Sequence, residues 1–143
     1  MYVNKPVLVL FLVLVTLTGC ASAPVNEAAA PELQQIAENH GRIFVYRLHG
    51  DGDGISSAVR VAGEPVGRAS PGSFFYVDLP IGEHEIAAAR NSKQTVVVDI
   101  EAGAEYFVRV DIWLRATRWT LIPVLVPEET ARAQMSGLNF AGQ

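Results

Sequence analysis

Four groups of side chains in this sequence are of types that chemistry uses. Glu83 and Glu85 lie two residues apart. On a strand, that spacing places both carboxylates on one face with their Cα atoms about 7 Å apart. A carboxylate pair can divide acid and base roles in glycoside hydrolysis, so a hydrolase acting through Glu83 and Glu85 is one reading. It requires a concave site around the pair; on the outer face of a hairpin the same residues are solvated charges. Asp51-Gly52-Asp53-Gly54 begins like a calcium loop. Such a loop needs ligands at alternate positions, glycine at the sixth and glutamate at the twelfth. Counted from Asp51, the fifth residue is Ile55 and the sixth Ser56, so an acidic turn is expected instead. His40, His49 and His84 have no metal-motif spacing, and His84, just after a turn, suits a hydrogen-bonded structural role. No metal or cofactor is expected. Trp113, Arg115, Arg118 and Trp119 gather around one hairpin tip. Aromatic residues with arginine are what interfaces use, so these four form a possible binding patch for a protein or a glycan. The glycan reading requires exposed indole rings. The competing reading packs them beneath a C-terminal helix, with Trp119 structural and Trp113 partly exposed. Neither a nucleophile elbow nor a phosphate-cradling glycine loop occurs, and the chain is not expected to be an enzyme.

The remaining reactive residue is Cys20, the single cysteine. Lys5 precedes an apolar run over residues 7–15, which leads into Leu17-Thr18-Gly19-Cys20. A charged end, a short apolar segment and a small-residue cleavage site make a secretory signal over residues 1–19. The run is short of the roughly 20 residues that a membrane-spanning helix needs. Its ending resembles the lipobox of bacterial lipoproteins, which implies cleavage between Gly19 and Cys20 and acylation of the Cys20 thiol, palmitate included. Ala21, rather than aspartate, follows the cysteine. By the rule such lipoproteins follow, that implies the outer membrane, with the domain facing the periplasm.

Loss of residues 1–19 removes Lys5 and takes the formal charge of −4 to −5. A mildly acidic chain is a poor match for phosphate backbones, so nucleic acid is not an expected partner; the membrane, reached through the lipidated N-terminus, and a periplasmic or envelope protein are. The remaining length suits one domain and a tether. With Cys20 acylated, no disulfide is available, and the domain must be held by packing.

Residues 20–40 read as the lipidated cysteine and a tether, with a short helix over residues 31–39 proposed from Pro31, Glu32 and Gly41. From Gly41 the apolar period becomes two, the signature of strands, and residues 41–138 read as one domain with a tail at residues 139–143. Gly63-Glu64 suits a type II′ hairpin turn. A turn at residues 80–83 sets Leu79 opposite His84, Val77 opposite Ile86 and Phe75 opposite Ala88, with Asp78 facing Glu85. A loop at residues 101–103 sets Val98 opposite Tyr106 and Val96 opposite Val108. In both cases the apolar faces coincide, as a one-sided sheet requires. A last strand over residues 119–126 follows an Ala116-Thr117 turn, and its Pro123 argues for a sheet edge or bulge. Pro127-Glu128-Glu129 opens a short helix that Gly137 closes. Many short strands with frequent turns predict an antiparallel β-sandwich of prealbumin-like, Greek-key type.

Gly41-Arg42-Ile43-Phe44-Val45-Tyr46-Arg47, the run from Gly72 through Leu79-Pro80, Gly82-Glu83-His84 and Tyr106-Phe107-Val108-Arg109 together resemble a group of Gram-negative lipoproteins carrying a domain of unknown function. The resemblance covers residues 41–137. It implies a β-sandwich on a lipid anchor and no established activity. The stretch from Pro80 to His84 is also similar to a turn of prealbumin-like surface modules, which implies a binding or spacer role. Ile81 stands where that group commonly has a second proline, and the helix after Pro127 lacks the group's acidic-leucine ending.

Overall fold

The computed structural model describes residues 33–90 and 92–142. Gly19, Cys20, the signal and the tether up to residue 32 lie outside them. Among the described residues, nine strands and one helix follow in the order β1 (His40–Arg47), β2 (Ser57–Val61), β3 (Glu64–Ala69), β4 (Ser73–Pro80), β5 (Gly82–Ala87), β6 (Thr95–Ile100), β7 (Glu105–Arg115), β8 (Arg118–Leu125), α1 (Glu128–Met135) and β9 (Asn139–Phe140). The strands form two sheets, β8-β7-β1-β4-β9 and β3-β2-β5-β6. Their inner faces enclose a core that includes Ile43, Val45, Phe75, Ile86, Val98 and Val108. The molecule is thus the mainly-β sandwich with a short helix that its pattern predicts.

The sandwich is not purely antiparallel. β1 runs parallel to β7, with Phe44 opposite Phe107, and β4 runs parallel to β9. Nor are the two registered hairpins formed. β4 pairs with β1, setting Asp78 opposite Arg42 rather than Glu85, and β5 lies in the other sheet. β6 pairs with β5, placing His84 opposite Val98 and Ile86 opposite Val96, while β7 crosses back to the first sheet. The physical reason is plain. Alternation tells which face of a strand is buried, and two strands facing each other across a core satisfy it as well as two lying side by side. Hence Phe75, Leu79, Ile86, Ala88, Val98 and Val108 are all buried as expected, but against partners in the opposite sheet.

The β2–β3 hairpin is present with its turn one residue earlier. Val61 faces Glu64, so Ala62 and Gly63 are the loop, with φ of 50° and 86°. Two positive φ values define a type I′ turn, whose twist matches that of the strands. Residues 33–39 form no helix. An eight- or nine-residue helix is too short to hold itself without packing, and here the Gln34 carbonyl instead accepts a hydrogen bond from Arg42 Nη2 at 2.8 Å. Pro123 lies on edge strand β8, where a missing donor is tolerated. Asn139 and Phe140, read as tail, add the fifth strand beside β4.

The outer face of the larger sheet carries a second apolar cluster. Phe44, Tyr46 and Phe107 are covered by Ala131 and Met135 of α1, and Phe44 stacks on Phe107 at 5.1 Å between ring centroids. Tyr46 donates a 2.6 Å hydrogen bond to Gln134 Oε1, and Arg109 Nη1 donates to the same oxygen at 3.2 Å. These contacts fix the helix low on the sheet, away from the far end of β7.

Candidate functional site

β7 is eleven residues long and changes neighbours along its length: its pairing with β1 runs from Glu105 to Arg109, whereas its pairing with β8 runs from Val108 to Arg115 at the tip. Beyond β1 the two strands continue as a ribbon. Residues 113–119 are all exposed. Ala116 and Thr117 form the turn, with Ala116 at φ 52°. Register then sorts the side chains. Trp113 lies opposite Thr120, Leu114 opposite Trp119, and Arg115 opposite Arg118. Because faces alternate, Trp113, Arg115 and Arg118 share the outer face, while Leu114 and Trp119 share the inner one.

The four residues expected as a patch are therefore close together but divided between two faces. Trp113 is 56% exposed and Trp119 39%. Neither is packed beneath α1, and the structural role expected of Trp119 is not found. Leu114, 54% exposed, belongs with them and was not singled out by type or spacing. The signal that finds the ribbon is charge: residues 112–127 contain Arg115 and Arg118 but no Asp or Glu. The net negative charge of the chain conceals this local excess.

Arg115 and Arg118 are directly opposed, an arrangement of like charges that is unfavourable on a strand pair. Among the described residues, neither is in an ion pair, unlike Arg42, Arg109 and Arg132. Below Trp113 lies a cleft of about 220 Å³ lined by Arg47, His49, Asp51, Asp111, Ile112 and Trp113, among others. Asp111 is engaged by Arg109, with Nε–Oδ1 at 2.6 Å and Nη2–Oδ2 at 2.9 Å.

The floor of that cleft explains the acidic loop. Arg47 is 2% exposed, and burial lowers its pKa. Its guanidinium donates to the carbonyl oxygens of Ile55, Gly52 at 2.9 Å and Asp51 at 3.4 Å. Three loop carbonyls thus converge on a built-in cation. Asp53 closes the loop from the other side, where its Oδ1 accepts from the Gly50 amide at 2.8 Å. Among the described residues, no group of three or more His, Cys, Asp or Glu side chains could hold a metal ion.

Glu83 and Glu85 are exposed on β5, opposite Asp99 and Val97. Neither lines the cleft beside Trp113 or the open groove formed by Gln34, Tyr76, Val77, Asp78 and Phe140. His84 Nε2 is 2.8 Å from the Pro80 carbonyl oxygen, the structural role expected of it. His40 Nδ1 is 2.9 Å from the Glu38 carbonyl oxygen, and His49 is 3.6 Å from Asp53.

Fold and ribbon together define a small sandwich domain with an exposed two-stranded projection. The chain belongs to the family described as protein of unknown function DUF2846, whose profile matches residues 37–119. That span runs from just before β1 to the ribbon tip. The chain is also 26% identical over 138 residues to an uncharacterized protein of Haemophilus influenzae, an alignment covering 87% of this chain and 77% of the relative. No solved structure matches it. No helix among the described residues is long and apolar enough to cross a membrane.

Proposed function

We propose that this protein is a non-enzymatic binding module of the bacterial envelope, held on the outer membrane and facing the periplasm by acyl groups on Cys20, with the β7–β8 ribbon as its contact surface for another envelope component, a periplasmic or envelope protein among them. The observation that carries the contact surface is the ribbon tip itself. Two tryptophans and a leucine stand exposed there, while α1 covers the neighbouring aromatic residues lower on the same sheet. Clustered exposed apolar residues with a polar rim mark interaction sites. The non-enzymatic reading is supported by Glu83 and Glu85, which face water from an outer strand opposite Asp99 and Val97. The anchor is supported by the order of residues around Cys20. A glycan could stack on one indole ring, but the two rings lie on opposite faces and make no common platform.

Two measurements test this. Cys20→Ser should abolish incorporation of labelled fatty acid, and equal labelling of variant and wild type would overturn the anchor. A photo-crosslinking residue placed at Trp113 in intact cells should yield adducts that the same residue at Glu83 does not. Equal yields at both positions would overturn the ribbon as the contact surface.

A further inference from the structure

We infer that Arg115 and Arg118 form a two-guanidinium clamp for a phosphate-type anion, with Trp113 on the same face receiving the apolar body of the molecule that carries it. The inference rests on the ribbon being the contact surface and names the chemistry it contacts. Three independent observations lead to it.

First, the two arginines face each other across the strand pair next to the turn. Directly opposed like charges are destabilising, and their Cβ atoms are held roughly 4.5–5.5 Å apart. An anion between them reverses the sign of that interaction. Second, the other arginines of this sheet and of α1 are already engaged, Arg47 by three loop carbonyls and the rest by carboxylates. Arg42 holds Asp78, Arg109 holds Asp111, and Arg132 holds Glu105 and Glu128. Among the described residues, Arg115 and Arg118 have no such carboxylate, and residues 112–127 supply none. Two carboxylates lie farther down: Asp111, already paired, and Asp51 across the cleft from Trp113. Third, Trp113 precedes Arg115 on the outer face by a two-residue step, about 7 Å along the strand. A planar apolar surface therefore stands beside the clamp.

Guanidinium groups match phosphate with parallel N–H···O bonds, and two of them can share one tetrahedral anion. Two sources present that chemistry in an envelope: the headgroup of an anionic lipid, and a free phosphate or phosphorylated sugar. The clamp and the neighbouring indole are common to both.

Trp113 and Trp119 are the only tryptophans of the chain, so Trp119→Phe leaves Trp113 as the sole indole reporter, on the arginine face. The full-length Trp119→Phe protein is placed on vesicles of phosphatidylcholine with and without phosphatidylglycerol, and separately titrated with inorganic phosphate. We expect Trp113 emission to shift in at least one arm. A shift confined to the phosphatidylglycerol vesicles identifies a lipid headgroup, and one seen with inorganic phosphate identifies a soluble source. Adding Arg115→Gln or Arg118→Gln should weaken the response about tenfold or more, as expected on losing a charge-assisted hydrogen bond. Arg115→Lys should recover only part, since lysine lacks the fork.

No shift in either arm would overturn the clamp, as would a shift that survives both glutamine substitutions or is equal on phosphatidylcholine alone. Both substituted residues are exposed, and unchanged far-ultraviolet circular dichroism verifies that the variants fold. Adducts from position 113 that persist undiminished in the double glutamine variant would leave the ribbon as the contact surface and overturn the clamp alone.

Discussion

Arg42 shows how a single charge is made to serve packing. It is 2% exposed, yet its Nε and Nη2 hold both carboxylate oxygens of Asp78 at 2.7 and 2.8 Å, and its guanidinium lies 4.3 Å from the centre of the Tyr76 ring. The hydrogen bond to Asp78 raises the arginine pKa against the opposing effect of burial. Removing one member of such a pair strands the other. Asp78→Ala should therefore cost about 2–3 kcal/mol, below the 3–5 kcal/mol of a fully buried pair because Asp78 partly reaches water. Urea unfolding measures it, and a loss under half a kilocalorie would show the pair to be ornamental. Tyr46 gives the residue scale a pH signature. Burial raises its pKa, with Arg109 opposing. Above the ordinary tyrosine pKa near 10, the unfolded phenol loses its proton while the folded one keeps it. The folded state then binds more protons, so stability must fall as pH climbs through that window. Tyr46→Phe should flatten the alkaline decline, though it forfeits the Gln134 hydrogen bond at every pH.

Elements were legible where one residue type dictates local geometry. Gly63 located a hairpin, Pro123 an edge strand, and Pro127 the start of α1. Each acts through its own backbone, so no distant partner is needed to read it. The turn type was missed because Ala62 carries a positive φ, a conformation that its side chain disfavours. That strain makes a prediction. Ala62→Asn suits the first loop position of a type I′ turn and should stabilise the domain by roughly 0.5–1 kcal/mol. A lowered denaturation midpoint would mean that the turn is not as described. Strand pairing was not legible, because the period-2 pattern of Phe75, Val77 and Leu79 is identical whether the facing residue is a neighbour in the sheet or across the core. The ribbon was half legible. Residue type singled out Trp113, Arg115, Arg118 and Trp119, but only register could place them on two faces, and Leu114 gave no signal of its own. Nor did the sequence reveal that the Asp51–Asp53 loop is ordered around Arg47, since an arginine at the end of a strand reads as an ordinary surface cation.

At the scale of the whole molecule, averages mislead in a characteristic way. A net charge of −4 argues against anionic partners only if charge is evenly spread, and the acid-free stretch from Ile112 to Pro127 shows that it is not. The arrangement of strands also governs time. β1 sits at the middle of the larger sheet, flanked by β4 and β7 rather than by β2, its successor in the chain. β3 and β4, β4 and β5, and β6 and β7 likewise part company into different sheets. β2 with β3, β5 with β6 and β7 with β8 can zip from their turns, but the central β1 must wait for β4 and for β7, far along the polypeptide. Contacts so distant in sequence pay their closure entropy before any reward arrives, which slows folding. Refolding from urea should be a single slow phase, on the order of milliseconds to seconds, and a dominant microsecond phase would contradict the topology. A newly made chain of this design cannot close its sandwich until β7 has been added, so its core stays open for the greater part of its synthesis.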